Sequence, residues 1–219
     1  MSYMQTEQRV ILVGAGGHCK ALIDLLLETP YEPVGILDPF VEMGTLVNGV
    51  PVVGTDADAP SFLAHGIENA LIASTMPCGL RKRLVREYLD QGFFIPTIIS
   101  EQAIVSQSAS IEQGAVVMSG ANIGAQAHLG GYCTVNVSAV VAHGVSVGEY
   151  SNVAPNATLL GSSNVGAGTL IGAGSVVLAC KSIGDACIVG AGSVVLQDVP
   201  DDTTVVGNPA RALQKRRTR

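Results

Sequence analysis

The residue best placed to do chemistry at neutral pH is a histidine in an otherwise apolar stretch. His143 interrupts the sequence VVAHGVSVG at residues 140–148. Imidazole has an ordinary pKa of about 6.5, so it takes up and releases protons near neutral pH and suits the role of a general base. By position alone, His143 is either such a base or an exposed polar residue at a corner of the chain. His128, which lies earlier in the same tract, is expected to be a surface residue or to lie at a seam between subunits.

The second candidate site is a glycine-rich turn near the start of the chain. The sequence GAGGH (14–18) follows the β-rich run 9–13 and precedes apolar residues at helical spacing. Backbone N–H groups at the N-terminus of such a helix favour a phosphate. The dinucleotide fingerprint G-x-G-x-x-G requires a glycine at position 19, where Cys19 stands, so an NAD site is disfavoured. Asp38 stands where an acid can meet a ribose or a base, although a tight turn without a ligand also fits this sequence.

The elements that position these residues differ between the two parts of the chain, and the second part is a repeat. From residue 103 to 195 a six-residue frame runs without interruption, with an aliphatic residue at every sixth position from Val105 to Val195. A period of six cannot keep one face of an α-helix apolar, because a helix has about 3.6 residues per turn. It fits parallel strands that turn a corner every six residues, so that three hexads close one triangular coil around the aliphatic side chains.

The first hundred residues follow a different pattern, in which strands alternate with helices. Strands are predicted at 9–13, 33–38, 50–54 and 69–74, and a helix is predicted over 80–91. This alternation is typical of a small parallel α/β domain. The sequence therefore predicts two domains, an α/β domain over 1–100 and a β-helical prism over 101–219. The basic residues of the predicted helix are interpreted as a solvated face in preference to a phosphate clamp; they are Arg81, Lys82, Arg83 and Arg86.

Composition narrows the classes of partner. The formal net charge of −6 argues against a nucleic-acid surface. No apolar run approaches the roughly 18 residues that span a bilayer, and the N-terminus lacks the apolar stretch of a signal peptide, so we expect a cytoplasmic chain without a membrane partner. Five cysteines without a C-x-x-C pair predict neither a disulfide framework nor a zinc site. The outward positions of the prism are poor in charge, so we expect a homotrimer with sites between its subunits.

With both parts in view, the chain resembles the hexapeptide-repeat sugar acyltransferases, a family that includes UDP-N-acetylbacillosamine and GDP-perosamine N-acetyltransferases and sialic-acid O-acetyltransferases. The resemblance is carried by VGAGGH (13–18), by ILD (36–38), by the hexads around His143 and by the closing VGNPARAL (206–213). It implies a Rossmann-like α/β domain followed by a left-handed parallel β-helix. It also implies transfer of an acetyl group from acetyl-CoA, without a metal, to the amino group of a nucleotide-linked 4-amino-4,6-dideoxy sugar.

The resemblance also implies a role for individual residues. His143 matches the catalytic base, and Gly161 matches the position whose backbone N–H faces the thioester. The remaining acetyl-CoA positions are Asn152, Ala173 and Ala191, with Gly207, Asn208, Pro209 and Ala210 passing close to the cofactor. The nucleotide-sugar positions are Gly14, Gly16, Gly17, His18, Asp38 and Ser74.

One position departs from the family pattern. Many members of the family have an acidic residue directly after the histidine, where this chain has Gly144. The imidazole is then oriented by Glu149, by another chain or by a backbone carbonyl. For the reaction itself we predict direct transfer, because Cys133 and Cys187 occupy the small, inward position of the hexad and are poorly placed as nucleophiles.

Three alternatives to N-acetylation stay open at this point. The first is a sugar O-acetyltransferase of the sialic-acid type, and the second is a non-catalytic scaffold that binds nucleotide sugars. A zinc-dependent hydratase is disfavoured, because the prism offers only His128 and His143 where about three histidine ligands are needed. The choice between UDP and GDP, the sugar and the acylated position are left undetermined by the sequence.

Overall fold

The structure, a computed structural model, describes residues 8–74 and 78–213. The chain divides into two compact units, Met1–Ile98 and Ile99–Arg219. Residues 1–7, on which the signal-peptide expectation rests, lie outside the described ranges. Within those ranges, every helix falls short of the length and apolar character that crossing a bilayer requires.

The first unit is a parallel α/β domain, as the sequence predicts. Its elements are β1 (Gln8–Val13), α1 (Gly17–Leu26), β2 (Tyr31–Leu37), β3 (Leu46–Val47), β4 (Val50–Gly54), a 3-10 turn (Asp56–Asp58), α2 (Ala59–Ala64), β5 (Asn69–Ile72) and α3 (Cys78–Asp90). The sheet order is β3-β4-β2-β1-β5. All pairs are parallel except β3 with β4. The sequence pattern did not predict the short elements β3 and α2.

The central strand explains where a ligand fits in this unit. β1 lies between β2 and β5, and its residues from Val10 to Val13 are buried, which is why this run is apolar throughout instead of alternating. Because the chain leaves β1 for β2 on one side and reaches β5 on the other, the carboxyl end of β1 is a topological switch point. Crevices at such points are where open α/β sheets bind ligands.

The second unit is a triangular prism of parallel strands, and its fold class is the predicted left-handed β-helix. Its strands are β6 (Ile98–Ile99), β7 (Ile104–Val105), β8 (Ser110–Ile111), β9 (Val116–Val117), β10 (Asn122–Ile123), β11 (His128–Leu129), β12 (Thr134–Val135), β13 (Val140–Val141), β14 (Ser146–Val147), β15 (Asn152–Val153), β16 (Thr158–Leu159), β17 (Asn164–Val165), β18 (Leu170–Ile171), β19 (Val176–Val177), β20 (Ser182–Ile183), β21 (Ile188–Val189), β22 (Val194–Val195), β23 (Thr204–Val206) and β24 (Arg211–Ala212). They form three sheets, in the orders β22-β19-β16-β13-β10-β7, β20-β17-β14-β11-β8 and β24-β23-β21-β18-β15-β12-β9-β6.

The register of these sheets is the one that the six-residue frame requires. Val141 pairs with Leu159 and Val147 pairs with Val165, so each coil lies 18 residues after the one it pairs with. The inward aliphatic residues from Val117 to Val195 are at most 2% exposed and form one continuous core. The coil therefore repeats without an insertion, and residues 18 positions apart lie at the same corner of the prism.

The corners are held by a recurring backbone contact. Between Ile111 and Val189, the third residue after the inward aliphatic residue has a positive φ, as at Gly144 (φ +66°) and Ser162 (φ +58°). At most of these positions the N–H donates to a carbonyl of the coil before it, from Gly144 to Ala125 at 2.8 Å and from Ser162 to His143 at 2.9 Å. These bonds tie successive coils together at each corner, so they fix the backbone around His143.

Candidate functional site

His143 lies at one corner of the prism, with its imidazole over a glycine of the next coil. The two residues each follow the inward residue of a paired strand by two positions, β13 for His143 and β16 for Gly161. A Cβ built on Gly161 lies 2.6 Å from His143 Nε2 and 3.1 Å from Nδ1, so the ring fills the space that a side chain at position 161 needs. We call this the His143 corner; its residues in successive coils are Gln107, Ala125, His143, Gly161 and Ala179.

The backbone N–H of Gly161 has no acceptor among the residues that the structure describes, while its carbonyl accepts from the N–H of Cys180 at 3.0 Å. The corresponding N–H groups of Gly131 and Ala167 each donate to a carboxylate at 2.8 Å, whereas the N–H of Ala125, at the same corner as Gly161, likewise has no acceptor in the described chain. The His143 corner therefore combines an exposed imidazole with an adjacent, uncommitted backbone donor. This is the pairing that acyl transfer requires, because a base must take a proton and a donor must stabilise an oxyanion.

Gly144 lies at the positive-φ position of its corner. Its φ of +66° lies in the left-handed region that favours glycine, and a Cβ there lies 3.3 Å from Ser162 Oγ. In the described part of the chain, no side chain or backbone carbonyl is hydrogen-bonded to the His143 ring, and Glu149 belongs to a different corner of the prism. Of the three groups proposed to orient the imidazole, these contacts leave a residue of another chain.

Apart from Gly161, the predicted acetyl-CoA residues Asn152, Ala173 and Ala191 fall at two places away from His143. Ala173 and Ala191 are exposed, and each follows the inward residue of a paired strand by two positions, β18 and β21. They share a second corner, the Ala173 corner, whose residues are Ser119, Val137, Pro155, Ala173 and Ala191. Asn152 lies on β15 and is 4% exposed, with its buried Oδ1 lacking a partner within the described ranges. A single prism therefore does not bring Ala173 and Ala191 together with His143 and Gly161.

The closing segment caps the last coil. The N–H of Gly207 donates to Ser193 Oγ at 3.0 Å, and the N–H of Ala210 donates to the carbonyl of Val194 at 2.8 Å. Between them lies a cis peptide bond from Asn208 to Pro209. The segment is thus fixed against the coil that follows Ala191.

The first unit contains a separate cavity of about 330 Å³ at the carboxyl ends of β1, β2 and β5. Four of the predicted nucleotide-sugar residues line it, namely Gly14, Gly16, Asp38 and Ser74. The lining also includes Phe40, Asp56, Leu80 and Arg83, which the sequence analysis did not select. Phe40 and Asp56 each lie two residues after a predicted strand, at the carboxyl edge of the sheet where such sites form. Their position in the sequence could therefore have identified them as candidate site residues.

Asp38 joins the two sides of this cavity. Its Oδ2 accepts from the N–H of Ala15 at 2.7 Å, and its Oδ1 accepts from the N–H of Phe40 at 2.7 Å. Hydrogen bonds to an ionised carboxylate are stronger than neutral ones. Asp38 therefore fixes the glycine turn relative to the loop after β2, besides lining the cavity.

His18 lies in the first turn of α1 beside a buried arginine. Burial, together with the charge of Arg81, lowers the pKa of His18 to about 4, so the imidazole is neutral at pH 7. Its Nε2 is buried without a hydrogen-bond partner in the described parts of the chain. His18 and Gly17 are not among the residues that line the cavity.

The solvated-face interpretation of the basic helix is wrong for Arg81. This side chain is 2% exposed, and its Nη1 donates to the carbonyls of Ile72 at 3.1 Å and Ser74 at 2.9 Å. It holds the end of β5, because these carbonyls have no further strand to pair with. Lys82, Arg83 and Arg86 are exposed, as predicted for a solvated face, but Arg83 also lines the cavity. Arg83 forms a 3.7 Å ion pair with Glu87.

His128 is bound to two side chains of the coil before it. Its Nδ1 lies 2.9 Å from Ser110 Oγ, and its Nε2 lies 3.5 Å from Glu112 Oε1. Among the cysteines, Cys19, Cys78, Cys133 and Cys187 are buried and Cys180 is exposed. Within the described ranges, no three histidine, cysteine or acidic side chains are grouped as a metal ion would need.

Comparison with known proteins finds solved structures that are similar to this chain over both units. The family model described as the PglD N-terminal domain matches residues 9–87. A histidine-to-alanine variant of GDP-perosamine N-acetyltransferase from Caulobacter crescentus, solved with CoA and GDP-perosamine, is 33% identical, with a TM-score of 0.90 over 94% of this chain and 97% of that one. The acetyltransferase domain of PglB from Neisseria gonorrhoeae FA1090 with acetyl coenzyme A is 32% identical, with a TM-score of 0.88 over 94% and 100%. WeeI from Acinetobacter baumannii AYE is 25% identical, with a TM-score of 0.80 over 93% and 99%. The comparison with curated proteins gave no match.

Proposed function

Because the chain belongs to the hexapeptide-repeat sugar acyltransferases, we propose that it is an acetyl-CoA-dependent N-acetyltransferase acting on a nucleotide-linked 4-amino-4,6-dideoxy sugar. The observation that carries the proposal is the His143 imidazole lying over Gly161, whose N–H is uncommitted within the described chain. Two related structures, in which a histidine was replaced by alanine or by asparagine, hold both CoA and GDP-perosamine. They support a bound acyl carrier and a nucleotide-linked amino sugar as the ligands here.

The proposed reaction is a direct transfer with His143 as general base. As the sugar nitrogen attacks the thioester carbon, His143 takes one proton from that nitrogen, and the N–H of Gly161 donates to the oxyanion. The C–S bond then breaks, and His143 returns the proton to the sulfur, which gives the amide and free CoA. A sugar bound as its ammonium first loses one further proton to solvent. No cysteine nucleophile takes part in this sequence of steps, and the four cysteines Cys19, Cys78, Cys133 and Cys187 are buried.

The nucleotide part of the substrate belongs, in this proposal, to the cavity of the first unit. α1 begins at Gly17, and its N-cap Gly16 has no side-chain cap, so the first N–H groups of the helix are available to a phosphate. A volume of about 330 Å³ lies in the range of small-molecule sites. Gly14 and Ser74 line the cavity, and His18, which lies in the first turn of α1, is neutral at pH 7 and adds no charge there.

The acetyl-CoA site is proposed to form between two prisms of a homotrimer. Within one chain the His143 corner and the Ala173 corner are different corners of the triangle. One acetyl-CoA that touches Gly161 together with Ala173 and Ala191 therefore has to lie where the His143 corner of one prism faces the Ala173 corner of another. Asn152 is the fourth proposed contact, and its buried, unpartnered Oδ1 is a polar atom that a ligand or a neighbouring chain can satisfy.

The test is an assay of CoA thiol release with a panel of UDP- and GDP-linked 4-amino-4,6-dideoxy sugars. We expect one of them to be acetylated on its amino group and His143→Ala to lower kcat by about 10² to 10⁴. His128→Ala is the matched control, because His128 is a prism histidine already bound to Ser110 and Glu112. Acetylation of a sugar hydroxyl with no amine turned over contradicts the N-acetyltransferase assignment, and near-full activity of His143→Ala contradicts the role of the base.

A further inference from the structure

Phe40 is a large aromatic side chain that is 94% exposed, although it lines the cavity of the first unit. Met43 in the β2–β3 connection and Leu46 at the start of β3 are also exposed, at 69% and 66%, but they do not line the cavity. Leaving an aromatic ring in water forgoes the stabilisation that its burial provides. The position of Phe40 at the cavity therefore calls for a partner that covers the ring.

The backbone of Phe40 is fixed relative to the glycine turn. Its N–H donates to Asp38 Oδ1 at 2.7 Å, while Asp38 Oδ2 accepts from the N–H of Ala15 at 2.7 Å. Pro39, which stands between Asp38 and Phe40, restricts the backbone further. One carboxylate thus sets the distance between the ring at the rim and the start of α1.

The chemistry of the cavity describes its ligand. Besides Phe40, the lining includes the aliphatic side chains of Leu37, Leu80 and Leu84, and it includes Gly16 at the N-terminus of α1. A ligand that suits both the apolar lining and the helix N-terminus has a flat apolar face and an anionic group, as a nucleotide does. We propose that Phe40 stacks on the nucleobase of the bound nucleotide sugar, an inference that rests on the proposed function.

Stacking of this kind favours a nucleoside over a ligand without a base, and does not choose among bases. Every base has a π face, so stacking is tolerant of base identity and contributes a factor of about 5 to 150 in affinity. Phe40 accordingly separates nucleotide-linked sugars from simple sugar phosphates, while the choice between UDP and GDP rests with other residues. Since the base lies away from the amine that reacts, the effect belongs to KM and not to kcat.

The first experiment uses the absence of tryptophan from the chain. Phe40→Trp makes position 40 the only tryptophan, and Met43→Trp is the matched control on the same loop. UDP and GDP are titrated into both, with inorganic pyrophosphate as the probe that lacks a base. The expected result is a change in Phe40→Trp emission with the nucleotide that the protein binds, with Met43→Trp unchanged and pyrophosphate without effect. Nucleotide binding by calorimetry that leaves Phe40→Trp emission unchanged overturns the proposal.

The second experiment measures turnover, and its outcomes distinguish a failure of the stacking proposal from a failure of the proposed function. Phe40→Ala is expected to raise KM for the nucleotide sugar about 5- to 150-fold with kcat within about twofold, while Met43→Ala behaves as wild type. If the wild type acetylates an amino sugar and Phe40→Ala has an unchanged KM, stacking is refuted and the proposed function stands. If the wild type neither binds a nucleotide nor acetylates an amino sugar, both are refuted.

Discussion

Replacing Gly161 by alanine tests whether the position of the His143 imidazole matters for catalysis. The φ of Gly161 lies outside the left-handed region, so alanine fits the backbone there. The added Cβ lies 2.6 Å from His143 Nε2, whereas an ordinary van der Waals contact needs about 3.5 Å. The ring therefore has to retreat by about 1 Å, which it can do because His143 is exposed. The backbone N–H of residue 161 is kept.

The expected result is a fall in kcat without a loss of stability. A misplacement of about 1 Å costs on the order of 10² in rate, whereas a surface change that creates no core strain alters the free energy of unfolding by no more than about 0.5 kcal/mol. We therefore expect Gly161→Ala to lower kcat about 100-fold while Tm and KM for acetyl-CoA stay near the wild-type values. The measurements are steady-state thiol release and thermal unfolding.

A matched control and a double variant separate positioning from other effects. Gly131→Ala occupies the same place in the hexad at another corner, and its Cβ would have only ordinary contacts, at 3.4 Å to the carbonyl of Gln113 and 3.5 Å to Glu112 Oε2. It should leave kcat unchanged. If Gly161→Ala acts through the imidazole, it adds no further loss in the presence of His143→Ala. Wild-type kcat in Gly161→Ala, or a full additional loss in the double variant, refutes this reasoning.

Three further predictions follow from the same corners and from the buried histidine. Gly144→Asp and Gly144→Asn both place a side chain at φ +66°, which costs about 1 kcal/mol of stability in each variant. Only the aspartate carboxylate stabilises an imidazolium at His143, so the acidic limb of the pH profile of kcat/KM should move to higher pH in Gly144→Asp alone. Identical pH profiles of kcat/KM for the two variants contradict this. If the acetyl-CoA site is shared between subunits, His143→Ala and Ala173→Trp, each inactive alone, should regain part of the wild-type activity when co-expressed as mixed trimers, whereas a site within one chain gives none. As the pH falls below about 6.5, His18 takes up a proton in the unfolded chain but not in the folded chain, where its pKa is lowered to about 4, so the folded protein loses about 2 kcal/mol of stability between pH 7 and pH 5 through this histidine. His18→Gln should abolish this part of the loss, as measured by denaturant unfolding at each pH. An unchanged dependence of stability on pH in His18→Gln contradicts the burial of a neutral imidazole.

The prism could be predicted almost completely from the sequence. The inward residue recurs every sixth position, so the period alone fixes which side chains enter the core and which residues share a corner. His143 and Gly161, 18 residues apart, are placed at one corner by that count, and the pairing of Val141 with Leu159 has this register. Gly144 lies at the positive-φ position of its corner, which Ser162 and Asn156 occupy at other places in the prism, so this conformation alone does not account for the missing acid.

The cavity of the first unit was only partly predictable. The glycine turn and Asp38 lie at the carboxyl ends of predicted strands, but no sequence pattern indicated that Arg81 is buried with its guanidinium hydrogen-bonded to the carbonyls of Ile72 and Ser74. Its neighbours in the helix are charged, so the local pattern indicated a solvated face. Phe40 and Asp56 were likewise missed, because loops from separate strands meet in the cavity through contacts that no local pattern records.

The sequence by itself determined the repeat, the inward and outward faces and the corner at which His143 lies, because a period of six acts at every step of the chain and leaves one register in which all aliphatic residues are buried. Only the tertiary structure decided that the imidazole lies over Gly161, that Arg81 faces inward and that Phe40 stands exposed at the cavity. These features depend on side-chain directions and on approaches between distant segments, which are set by packing in three dimensions and not by spacing along the chain.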